Sequence, residues 1–236
     1  MAGQNTAPGR KRPPVKGKPA TGPSRSSGTG AYELLLARIE NGDLPAGTRL
    51  REAELAQRFS LSRTPIREAM KRLEQQGLIT HEPHHGGVVT SLNYNQIAEL
   101  YLLREVLEGT AARLAAQHAS DVEITLLQEM LEQDQTLTST PTELAKTNRA
   151  FHQQIRDAGR NGFLAQALET LRLSLALLPG TTLGAPSRGA ASVREHAQIV
   201  ERIAARDPDG AEQAARQHIR NAFKTRIQLL QKRLPS

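Results

Sequence analysis

The chain has no cysteine and no tryptophan, and aromatic residues make up only 3% of its 236 positions. Without cysteine there is no disulfide and no thiolate for a soft metal, which fits a reducing compartment. So few aromatics leave a core of Leu, Ala, Val and Ile, a composition that suits packed helices better than a sandwich of sheets. No apolar run approaches the ~18–20 residues of a membrane span. The first residues are basic but have no apolar segment behind them, so no secretory signal is expected. Together these absences predict a soluble, cytoplasmic protein with no membrane partner.

What is present begins with charge. The net value is +7, but Arg10, Lys11, Arg12, Lys16, Lys18 and Arg25 place +6 in residues 1–30, leaving +1 for the other 206. The high isoelectric point therefore reports the N-terminal stretch and is no argument for DNA binding by the rest. Residues 1–30 are rich in Gly, Pro, Ser and Thr with little to bury, and are expected to be a disordered basic tail. Such a tail either solubilises the protein or makes non-specific phosphate contacts.

From Ala31 the pattern changes. AYELLLARIENG reads as a short helix closed by Gly42, and DLPAGTRL as a turn around Pro45 and Gly47. EAELAQRF follows as a second helix, with Glu52 and Glu54 in its first turn and Leu55, Ala56 and Phe59 facing inward. A third helix begins near Thr64, a suitable N-cap, with Pro65 at its first position and Gly77 at its end. Ile66, Ala69, Met70 and Leu73 mark its core face. LITHE and GVVTS then flank Pro83-His84-His85-Gly86 as a small hairpin. After Asn93 the strand signals stop. Residues 95–118, 121–137, 141–158, 162–178, 188–206 and 208–232 read as helices. The predicted fold is mostly α: a winged helix-turn-helix in residues 31–91, then an all-α helical bundle in residues 92–236.

On the third helix Arg67 and Lys71 share a face away from the core, with Arg63 just before it. In a helix-turn-helix this helix enters the major groove, and Arg can pair bidentately with guanine. Thr64 and the helix start can meet a phosphate. A solvated face with an ordinary Glu68–Arg72 pair is the plainer alternative; the short preceding helix, tight turn and wing favour DNA.

In the second half, His152 shares a face with Ile155 and lies four residues after Asn148. His196 shares a face with Val193, Val200 and Ile203, and His218 one with Ala211, Ala214, Ala215 and Ala222. A lone His on an apolar face is usually a core residue. Three such faces plus one oxygen donor also make a first shell for Zn²⁺, Ni²⁺ or Mn²⁺. Arg104 falls on the apolar stripe of Ile97, Leu100, Tyr101, Leu107, Ala111 and Leu114, where a guanidinium needs an anion. Glu108, or an effector carboxylate or phosphate held jointly with the metal, would serve, and Arg220 is a second, weaker candidate for the effector. His118, His81 and His84 are expected to be solvent-facing or structural.

The run RLREAELAQRFSLSRTPIREAMKRLEQQGLI, followed by PHHGGVV, resembles the N-terminal domain of the GntR family of bacterial transcription regulators. The resemblance implies DNA contacts by Arg63, Thr64 and Arg67, with His85 and Gly86 of the wing approaching the minor groove; Ser62, just before them, is a further candidate contact. Ala53 stands where some relatives carry a DNA-reading Arg, and His84-His85 stands where Asn-Arg is frequent. The helical half is similar to the FCD effector domain of the FadR-like branch, whose metal-binding members carry Asp or Asn, a His four residues later, and two further His. Asn148, His152, His196 and His218 match in order, which implies a divalent transition metal; Asn for the commoner Asp implies weaker binding. The resemblance also implies a homodimer reading an inverted-repeat operator.

The expected function is a ligand-responsive transcription regulator, a dimeric repressor modulated by a small carboxylate effector at a metal site. An architectural DNA-binding protein with a structural metal is the alternative. A helical metallohydrolase comes last, because no general base shares the histidine faces and the winged helix would go unused.

Overall fold

The computed structural model describes residues 28–82 and 86–232. Residues 1–27 of the expected tail, together with His84 and His85 of the wing, lie outside the described residues. The order is α1 (Gly28–Glu40), β1 (Arg49–Leu50), α2 (Glu52–Phe59), α3 (Arg63–Gln75), β2 (Ile79–Glu82) and β3 (Gly86–Val89). After these come α4 (Tyr94–His118), α5 (Asp121–Thr136), α6 (Pro141–Ala158), α7 (Gly162–Leu175), α8 (Arg188–Ala204) and α9 (Pro208–Gln231). A single 3-10 turn, Thr182–Gly184, precedes α8.

In the N-terminal part, α1, α2 and α3 enclose Leu35, Ile39, Leu55, Ile66 and Leu73, and the strands contribute Leu50, Ile79 and Val89. The sheet runs β1-β3-β2, both pairs antiparallel, with Leu50 opposite Gly87 and Thr80 opposite Val88. The strand β1 has no sequence signature, because two residues are too few to show alternation. The first helix also begins earlier than expected: Gly28, Thr29 and Gly30 belong to α1 and not to the tail.

The turn between α2 and α3 is made by Ser60 in the left-handed region at φ 55°, from which the chain enters extended Ser62. Ser62, not Thr64, precedes the first helical residue, so Pro65 is third in α3. Any first-turn position tolerates proline, since the first four N–H groups of a helix lack internal partners. Gly77, at φ 75°, ends the helix as expected, with the Leu78 N–H donating back to Leu73 O at 2.9 Å.

The second half packs around α4 and α9, and Gly109 marks their close approach. A Cβ there would meet Arg216 Cγ at 2.7 Å. Capping boxes at Asn93 and Ser120 start α4 and α5, each side chain accepting from the N3 amide. Ile97, Leu127, Phe151, Ile155, Ile199, Ile203 and Ile219 form the centre of this bundle. The helix α7 stops at Leu175, short of the expected 178, consistent with the bias of Pro179 against a helical residue before it. Its end serves both cores: Leu171 and Leu175 stay with the bundle, while Leu173 and, just past the helix, Leu177 pack into the N-terminal core, where Arg172 also pairs with Glu40 of α1.

Candidate metal centre and nucleic-acid interface

Three helices bring their histidines to one point. His152 of α6, His196 of α8 and His218 of α9 each present a ring nitrogen, all within 4.8 Å of one another. The ring centroids are 4.6–5.2 Å apart, and His196 stacks on Phe151 at 4.1 Å. His196 and His218 are fully enclosed, and that desolvation, chiefly, holds both well below the usual histidine range; they are neutral at pH 7.

Two of the rings are oriented by carboxylates. His152 Nδ1 lies 2.9 Å from Glu108 Oε2, and His218 Nδ1 lies 2.7 Å from Glu195 Oε2. Burial opposes ionisation of Glu108, but the His152 and Arg104 contacts outweigh it and hold the group well below the usual carboxylate range. An ionised carboxylate only accepts, so His152 Nδ1 carries a proton and Nε2 is the ring nitrogen left for another partner. Carboxylate–histidine pairs of this kind fix the tautomer of metal-binding histidines. The third ring has a looser counterpart: Asp134 Oδ2 is 4.0 Å from His196 Nδ1. Asp134 is 0% exposed and neither of its oxygens has a hydrogen-bond partner. Burial pushes its pKa up.

The donor set fits a divalent ion of borderline softness. Nε2 of His152 and both ring nitrogens of His196 are buried with no partner, an expensive arrangement that a cation would relieve. Asn148 is half-buried one turn before His152 on the same helix.

The candidate effector arginines separate. Arg104 lies beside the cluster, its Nε donating to Glu108 Oε1 at 3.2 Å, so the plainer of its two expected partners is present. Arg220 does not join the histidines. Two residues beyond His218 puts it on the opposite face of α9, where it is half-exposed and pairs with Glu105 of α4 at 2.7 Å. Glu195, Asp134 and Arg188 were missed from the sequence. Asp134 had a signal, since it continues the buried stripe of Ile124, Leu127 and Leu131 on α5.

In the N-terminal part, Ser62, Arg63, Thr64, Arg67 and Lys71 are all exposed on α3 and its cap. Gly86, at φ 75°, is exposed at the start of β3. Arg67 is engaged by Glu52 of α2, with Nε to Oε1 at 2.9 Å and Nη2 to Oε2 at 2.9 Å. Arg72 is turned away from this face and lies over the Tyr32 ring at 3.8 Å.

Residues 28–89 match the gntR family of bacterial regulatory proteins, and residues 99–221 match the FCD domain. The chain belongs to the GntR family. It is 31% identical over 191 residues to the HTH-type transcriptional regulator YdhC of Bacillus subtilis, covering 80% of this chain and 84% of that one. It is 30% identical over 194 residues to the probable D-xylose utilization operon transcriptional repressor of Paenarthrobacter nicotinovorans, covering 79% and 83%. In fold it is similar to Escherichia coli McbR/YncC, with a TM-score of 0.74 at 22% identity over 86% of this chain and 98% of that one. A GntR winged helix joined to an FCD domain is the organisation of a transcription regulator, not an enzyme. Among the described residues no helix is long and apolar enough to cross a membrane.

Proposed function

We propose that this GntR-family protein is a dimeric, cytoplasmic repressor whose affinity for an inverted-repeat operator is set by a small carboxylate effector at a divalent metal site. The observation that carries the reading is the convergence of three histidine rings, His196 and His218 buried and His152 partly so, two of them tied by carboxylates. His152, His196 and His218 would hold the ion through ring nitrogens, with Asn148 as an oxygen donor. Zn²⁺, Ni²⁺ or Mn²⁺ would each suit these ligands. Such an ion supplies a Lewis-acidic position that an anionic oxygen can occupy. Arg104 sits beside it. Repression is supported by the Paenarthrobacter relative, itself a probable transcriptional repressor.

DNA recognition would rest on Ser62, Arg63, Thr64, Arg67 and Lys71, with His85 and Gly86 as further candidate contacts. Dimerisation has support in a strip of exposed apolar side chains on α4: Leu102 at 65%, Leu103 at 49% and Val106 at 38%. Communication between the halves would run through α7 and the residues just after it, since Leu173 of the helix and Leu177 beyond its end are part of the core that holds α3. An effector shifts operator affinity only as far as it binds one arrangement of the halves better than another.

The test is elemental analysis of the purified full chain, wild type beside His152→Ala, after dialysis without chelator. About one transition metal per chain, lost in the variant, is the expected result. No metal in either protein, even after reloading, would make the histidines core residues and leave only the DNA-binding part of the reading.

A further inference from the structure

We infer that Arg188 and Ser192 are the anion-recognition half of the effector site, taking a carboxylate of a small acid whose other oxygen reaches the histidine-held cation. This rests on the metal reading proposed above and adds to it the residues that select the ligand.

Arg188, Ser192 and His196 follow one another at four-residue intervals on α8, so they line one face of the helix. All three are buried, at 6%, 1% and 1% exposure. On that face the polar atoms are left over. Arg188 Nε and Nη1, Ser192 Oγ and both ring nitrogens of His196 have no hydrogen-bond partner. A buried donor without an acceptor is destabilising, and more so when charged. Native proteins pair nearly all such groups. Unpartnered groups gathered on one face, next to a candidate cation site, point to an anionic ligand that accepts from Arg188 and Ser192 while a ring nitrogen of His196 serves the cation.

Glu195 does not already play that part. Its Oε2 takes Arg188 Nη2 at 2.8 Å and His218 Nδ1 at 2.7 Å, and its Oε1 takes Asn221 Nδ2 at 2.8 Å. The carboxylate is occupied by three donors from two helices. It therefore aims the guanidinium and places it one carboxylate away from the His218 ring, while two of its nitrogens stay available. Charge points the same way. Arg104 pairs with Glu108 and Arg188 with Glu195, and Asp134 adds one more carboxylate beside His196. A divalent ion would leave the site with excess positive charge, which an anionic ligand would offset. Arginine and a hydroxyl together suit a carboxylate, by charge-assisted bonds in a water-poor site. A second oxygen on the same molecule, as in a hydroxy acid or dicarboxylate, would bind the cation.

The experiment is isothermal titration of acetate, lactate, malate and citrate into the full chain, with cobalt(II) and after chelation. Cobalt absorption reads metal occupancy separately. For wild type, at least one acid with two oxygen-bearing groups should bind more tightly than acetate. Arg188→Gln should weaken that acid roughly 10- to 100-fold, the range of a lost charge-assisted contact, with cobalt affinity within about threefold by the same arithmetic. Ser192→Ala removes one buried hydroxyl with little risk to folding and should weaken the acid several-fold. Arg188→Lys, which keeps the charge but loses the planar fork, should fall between wild type and Arg188→Gln. Unchanged affinity in folded Arg188→Gln and Ser192→Ala, or no binding of any of the four acids to wild type, overturns the assignment. If cobalt fails to bind but an acid still binds and depends on Arg188, the metal reading fails and the Arg188 site stands.

Discussion

Arg67 enters any encounter with DNA already holding a partner. Its guanidinium spans both oxygens of Glu52, the contact that lowers the Glu52 pKa. To reach a guanine or a phosphate it must leave that carboxylate or bring it close to the DNA, where its charge is repelled. Glu52→Gln should therefore raise operator affinity by a factor of a few, the scale of an exposed ion pair, while Arg67→Ala should lower it tenfold or more, as for a lost bidentate contact. Fluorescence anisotropy with operator DNA at fixed salt reads both. A loss of affinity in Glu52→Gln would mean that the carboxylate positions Arg67 for contact. The histidines carry a different expectation. His196 and His218 are held neutral by burial, whereas in the unfolded chain they titrate near pH 6.5. Below that pH the unfolded state binds more protons than the folded one, so stability falls as pH falls and is fully regained above it. Chelated protein should lose several degrees of Tm between pH 7 and pH 5, before the carboxylates titrate, and His196→Gln should flatten the slope. These rings were legible because each sits on an apolar helical face, and the structure brings all three together. Their orienting partners were less so: Glu195 is next to His196 in the chain yet serves His218, a pairing that no helix periodicity encodes.

Among the elements, long periodic helices were legible to within a few residues, and so were the hairpin and the helix-turn-helix. What escaped was settled by contacts between elements. The strand β1 exists because Arg49 and Leu50 pair with Val88 and Gly87, far away in sequence. The end of α7 was read as more bundle helix, yet Leu177 lies beyond the helix and completes the N-terminal core. The stretch that follows is anchored by Arg226, which donates to the carbonyls of Pro179 and Gly180 at 2.7 and 2.8 Å. Eight residues after Gly180 the chain reaches Arg188. One continuous segment thus joins the core under α3 to the face of α8 that carries His196. Leu177→Ala should cost about 2–4 kcal/mol, the usual range for a buried leucine truncated to alanine. Hydrogen exchange should place the loss in α1 and α3, with α4 and α9 keeping their protection. Equal loss in all four helices would mean that the two cores unfold as one unit.

At the scale of the whole molecule, a single winged helix offers one short reading head, and a two-fold pair reads an inverted repeat with twice the contacts. The exposed side of α4 is the best-supported place for that pairing. Leu102, Leu103 and Val106 occupy one broad face of a 25-residue helix whose other face is buried against α9. Large side chains left this bare are a recurrent mark of an association surface. Replacing Leu102 and Val106 together by Glu would put four like charges into a symmetric contact, since each copy brings two. The double variant should sediment as a monomer at concentrations where the wild type is a dimer, with an unchanged circular dichroism spectrum. Its operator affinity should fall by about a hundredfold or more, because one half-site must then be held without the linkage that makes the second binding event intramolecular. If the variant stays dimeric, the pairing surface lies elsewhere, and Phe163 at the start of α7, 89% exposed, becomes the next residue to change.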